Sequence, residues 1–80
     1  MDSLNLHYDV PGDDLTRAGA ASGDVKRTLK QLGVSPAVIR NVAVAMYEGE
    51  INMVIHAGGG EIDVEVNEKE ISMTLSDHGP

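Results

Sequence analysis

Glu48 and Asn52 lie four residues apart within AMYEGEINMVIH, residues 45–56, inside an otherwise apolar run. Four residues is about one helical turn, so the two side chains share a face. A carboxamide oxygen can coordinate a hard cation, and a carboxylate can orient a nucleophile or accept its proton. His56 follows one turn later, near the same face. Further on, Asp77 ends an alternating segment and precedes His78, Gly79 and Pro80, which presents its carboxylate at a loop, where ligand-binding groups concentrate. On spacing alone the alternatives stay open: Glu48 as a solvated charge, Asn52 as a satisfied core amide, Asp77 as a turn former.

The elements that must position these residues follow from periodicity. Leu4, Leu6, Tyr8 and Val10 alternate with Asn5, His7 and Asp9, which predicts a strand stopped by Pro11 and Gly12. Asp13 or Asp14 is the expected cap of a first helix whose inner positions are Ala18, Ala21, Val25, Leu29 and Leu32. Gly33 is expected to end it in a left-handed cap. Gly19 and Gly23 weaken that helix by up to ~1 kcal/mol each, through close packing or for function. Ser35 and Pro36 predict the start of a second helix, a hydroxyl cap followed by proline in the first turn, running to about Ala57. Its apolar residues go most of the way round, which predicts burial on several sides. Asn41, Ala45, Glu48, Asn52 and Ile55 form one stripe, with Ile39, Val42, Met46 and Met53 roughly opposite. Polar groups on so buried a helix would need partners, which a nucleotide and its metal would supply.

Gly58, Gly59 and Gly60 predict a sharp turn; a phosphate cradle is the lesser reading, because no helix start follows. Ile62, Val64 and Val66, then Ile71, Met73 and Leu75, alternate with polar residues and predict a hairpin turning near 67–69. Strand, helix, helix, hairpin is an α+β layer of helices on one face of a mostly antiparallel sheet, in a single domain over residues 1–80.

Composition excludes several functions. A net charge of -7, thirteen acidic residues against six basic ones, argues against nucleic acid. The absence of cysteine removes disulfide, iron–sulfur and Cys-zinc chemistry and fits a reducing cytosol. No signal-like or membrane-length apolar run is present, so the expected location is cytoplasmic. His7, His56 and His78 lack the paired spacing of a zinc site. Asp63, Glu65, Glu68 and Glu70 read as a solvated strand face rather than a calcium cluster. Ser72, Thr74 and Ser76 have no histidine base in the pattern.

A helix carrying E-x-x-x-N, then strands, then D-x-G-P resembles the N-box and first glycine box of the GHKL (Bergerat-fold) ATPases. Within that superfamily, AMYEGEINMVIHAGGGEI followed by LSDHGP most resembles the anti-sigma factor serine/threonine kinases, which phosphorylate an anti-anti-sigma partner. The resemblance implies a partial histidine-kinase-like ATPase fold, with Asn52 holding the Mg2+ that bridges ATP phosphates. It implies Glu48 as the group that orients the attacking hydroxyl or accepts its proton, and Asp77 as acceptor for the adenine amine. Gly79 would let the backbone approach the base, and His56 would lie near phosphate. The family pattern continues D-x-G-x-G, and this sequence stops at Pro80, before the positions of the second glycine and the lid, so an N-terminal portion with slow or no phosphoryl transfer by itself is expected. The implied partners are a sigma factor or anti-anti-sigma protein. Unpaired sheet edges add the expectation of a homodimer. The alternative is a non-catalytic, kinase-like interaction module or dimerising fragment.

Overall fold

The computed structural model describes residues 3–12, 18–56 and 58–77. Its elements run β1 (Leu4–Pro11), α1 (Ala20–Gln31), α2 (Pro36–His56), β2 (Gly59–Val66) and β3 (Ile71–Asp77). The strands form one sheet in the order β1-β2-β3, antiparallel at both pairings. The architecture is therefore α+β, two helices on a three-stranded antiparallel sheet.

The register explains which face the helices cover. Leu6, Val64 and Met73 stand abreast, as do Tyr8, Ile62 and Leu75. Residues of this parity join Val25, Leu29, Ile39, Met46 and Met53 in one core, and Val25, Leu29, Met46 and Ile62 are fully buried. The opposite parity, His7, Asp63 and Thr74 among them, faces solvent. With no Phe or Trp in the chain, the buried hydrophobic core is made of aliphatic side chains and the thioethers of Met46 and Met53. Tyr8 bridges two layers, its hydroxyl donating to Asp24 of α1 at 2.6 Å. Burial and the adjacent carboxylate both push the Tyr8 phenol up from its ordinary value.

The turns obey local chemistry. Gly33, at φ 81°, closes α1. Val34 N–H bonds to Leu29 carbonyl and Gly33 N–H to Lys30 carbonyl, both at 3.1 Å, the paired bonds of a Schellman motif. Ser35 opens α2: its hydroxyl accepts from Val38 N–H at 3.4 Å, and its carbonyl accepts from Ile39 N–H at 3.0 Å. In the hairpin, the Asn67 side-chain oxygen accepts from the N–H groups of Lys69 and Glu70 at 2.8 and 2.9 Å, the local bonding that makes Asn a turn residue.

Two expectations are corrected. Ala18 and Gly19, expected within the first helix, form a turn, and the described helix begins at Ala20 with Gly19 as its cap; Asp13 and Asp14, the expected caps, lie outside the described residues. The second helix is not buried on several sides. Ile39, Met46, Glu50 and Met53 form its buried line, while Val38, Val44, Tyr47 and Ile55 are 42 to 55% exposed. The reason is the number of layers: sheet and α1 cover one side of α2, and no described element covers the other.

Candidate functional site

The only buried carboxylate among the described residues belongs to neither predicted position. It is Glu50, 2% exposed, on the inner face of α2 beside Met46 and Met53. Its Oε2 accepts from the backbone N–H groups of Gly19 and Ala21 at 2.9 and 3.3 Å, and its Oε1 from Ser22 N–H at 2.9 Å. These are donors at the start of α1, which have no partner within their own helix. Gly19 takes φ 100° and contributes no side chain, so a carboxylate from another helix performs the capping. Ser22 adds a hydroxyl bond to Gly19 carbonyl at 3.2 Å. Glu50 thus joins α1 to α2 and is structural. Its signal in the sequence was position, a carboxylate four residues after Met46 and three before Met53 on the apolar side of the wheel.

Glu48 and Asn52 both lie on the outer face of α2 and are exposed, as is His56 in the last turn. The inference that burial obliges them to find a ligand therefore fails; the buried polar group of α2 is Glu50, and it is satisfied. What remains is their arrangement. Gly49, three residues before Asn52, faces β3: a Cβ there would strike the Leu75 side chain. Met53, the residue after Asn52, reaches the far end of β3. A Cβ on Gly60 would lie 2.8 Å from the Met53 sulfur and 2.9 Å from Asp77 Cα. Asn52 accordingly flanks the β3 side of the fold, one residue from the side chain that meets the Asp77 strand end.

Asp77 pairs with Gly60 and continues the parity of Ile71, Met73 and Leu75. Its carboxylate therefore belongs to the helix-facing side of the sheet, at the open end beside Met53, and is exposed. Within the described residues, the side chains of Glu48, Asn52 and Asp77 make no hydrogen bond or ion pair, which leaves their oxygens open to a ligand. Glu48 also borders a recess against Gly19, Ser22 and Gly23 of α1. Gly79 lies outside the described residues, as do His78 and Pro80. Gly58 and Gly59, with positive φ, form the turn into β2.

A second polar group lies on the outer face of the sheet. His7 Nδ1 stands 2.6 Å from Asp63 Oδ1, its partner across the strands, while Nε2 faces Asp9 Oδ1 at 3.3 Å and Glu61 Oε1 at 3.5 Å. Hydrogen bonds to Asp63 and then Asp9 raise the pKa of His7. The zinc reading weighed three histidines, whereas His7 in fact keeps company with carboxylates. Ser72, Thr74 and Ser76 are exposed on this face, as alternation predicted.

No helix among the described residues is long and apolar enough to cross a membrane. Comparison with family models, curated proteins and solved structures yields no match.

Proposed function

We propose that this chain binds Mg2+-ATP at the open end of α2 and β3, and that it forms the nucleotide-binding portion of a protein serine/threonine kinase of the anti-sigma type. The observation that supports this most is the Gly60 to Asp77 pair. An aspartate occupies a position whose parity is otherwise apolar, at the end of a strand, where Met53 brings the helix carrying Asn52 against it. The carboxylate is exposed at this end, where it suits a ligand with a donor group, such as the adenine amine.

The donor set fits the implied group. Asn52 offers a neutral oxygen of the kind Mg2+ accepts alongside phosphate oxygens. When bound, Mg2+ neutralises phosphate charge. Glu48, one turn before Asn52, would orient the acceptor hydroxyl or accept its proton, while Asp77 would hold the base. The protein's contribution is positioning and electrostatics, with little covalent work. An anti-anti-sigma protein is the proposed acceptor.

Calorimetric titration with Mg2+-ATP tests this. Asn52→Ala should weaken binding at least tenfold with melting unchanged, and Asp77→Asn should abolish preference for ATP over GTP, because one acceptor oxygen becomes a donor. Equal affinity in parent and Asn52→Ala would remove Asn52 from the site. A non-catalytic, self-associating module is the second reading, favoured by the two strands β1 and β3, each paired on one side only among the described residues. Monomer mass in sedimentation equilibrium would dismiss it.

A further inference from the structure

The cations of this acidic chain are segregated. From Val25 to Tyr47 the sequence carries Lys26, Arg27, Lys30 and Arg40 and no carboxylate, although the whole chain has a net charge of -7. Arg27 is occupied by Asp24 at 3.4 Å. Lys26, Lys30 and Arg40 have no ion-pair partner among the described residues, and all three line a recess of about 480 Å³ between α1 and α2. Its apolar part is formed by Val34, Pro36, Ile39 and Val44. At Lys26, Ala43 and Val44 it meets the second recess, which continues past Gly23 to Tyr47 and Glu48. The two make one trough along antiparallel helices. At about 1.5 Å per residue, its wall from Pro36 to Glu48 is roughly 18 Å long, about three helical turns.

Gly23 provides an independent sign. Among the described residues a Cβ there would meet only Arg27, at 3.7 Å, so their packing does not demand glycine. Its cost to α1, up to ~1 kcal/mol, is left without an internal reason. A partner backbone pressed against the trough would supply one. Val44, 52% exposed, and Tyr47, 44% exposed, give the same trough an uncovered apolar lining.

We propose that the α1–α2 trough docks an acidic amphipathic helix of a partner protein, its apolar stripe on Val44 and Tyr47 and its carboxylates against Lys26, Lys30 and Arg40. Charge complementarity selects this occupant. A second copy docked face to face would oppose like charges, and its own acidic sheet face, with Asp9, Asp63 and Glu65, lacks an apolar stripe to fill the trough. The docking surface reaches Glu48 at one end but includes neither Asn52 nor Asp77, and it does not rest on the nucleotide reading.

The probe is a synthetic helical peptide of three to four turns, with a leucine stripe flanked by glutamates, titrated into the 15N-labelled full chain. Amide shifts are expected along the trough from Lys26 to Tyr47. Lys30→Glu with Arg40→Glu should weaken binding at least tenfold, and should gain affinity for the same peptide carrying lysines in place of glutamates. Gly23→Leu should block the trough while α1 is retained in circular dichroism. Four results would each overturn the proposal: no shifts at about millimolar peptide, shifts confined to the sheet face, unchanged affinity in the charge-reversed protein, or self-association that Gly23→Leu abolishes. Equal shifts from dodecanoate, an anionic amphiphile without a helix, would do the same.

Discussion

At the scale of single residues, the two carboxylates Glu48 and Glu50 differ by two positions and have opposite fates. Two residues turn a helix by about 200°, so one faces solvent and the other the core. Removing Glu50 leaves three backbone donors at a buried helix start without their acceptor. Glu50→Ala should destabilise the fold by about 3 kcal/mol, the combined scale of a lost cap and unpaired buried groups. Chemical denaturation measures it; a change under about 0.5 kcal/mol would show that water replaces the carboxylate. His7 offers a test by pH. Its pKa is raised in the folded state, so its protonated form contributes stability below the unfolded value of about 6.5, and this is lost as pH rises through the folded pKa. The melting-temperature advantage of the parent over His7→Gln should therefore be largest near pH ~5.5 and shrink toward pH ~9. An advantage that grows with pH would contradict the ion pairs to Asp63 and Asp9.

At the scale of elements, glycine separates two kinds of close approach. Gly60 has no room for a side chain, since a Cβ would lie 2.6 Å from Ser76 carbonyl oxygen as well as against Met53. Gly60→Ala should push β3 from α2 and cost about 1 to 3 kcal/mol, with loss of any ligand affinity that depends on Asp77. Gly23→Ala should instead raise stability by up to about 1 kcal/mol, because the helix gains and no described residue stands in the way of the added Cβ. Thermal melts of the two variants moving in the same direction would refute this contrast. Period and punctuation made most of the elements legible: alternation gave the three strands, Ser35 and Pro36 one helix start, Gly33 one helix end. The start of α1 was not legible, because its cap comes from Glu50, 31 residues away from Gly19. Local rules look for a capping side chain at the cap itself. Nor was the exposure of α2 legible. An apolar circumference says which faces can be buried, and the number of surrounding layers decides which are.

At the scale of the whole molecule, charge and apolar surface are sorted. The sheet's outer face carries Asp9, Glu61, Asp63 and Glu65, the α1–α2 trough carries Lys26, Lys30 and Arg40, and the end of β3 near Met53 carries Asp77. Of the candidate site, the proposed association of Asn52 with Asp77 comes from family resemblance, and the structure adds that Met53, next to Asn52, lies near the Asp77 strand end. Met53 and Asp77, 24 positions apart in sequence, both come close to Gly60 because β3 returns antiparallel to β2 and ends opposite it. The sorting makes a spatial prediction, since a nucleotide should choose one end of the molecule and leave the acidic face untouched. Amide shift mapping of the 15N-labelled chain during titration with Mg2+-ATP tests this directly. The account predicts saturable shifts centred on Asn52, Gly60 and Asp77, absent in Asn52→Ala. Shifts that cluster instead around His7 and Asp63, or no shifts at about millimolar nucleotide, would contradict it.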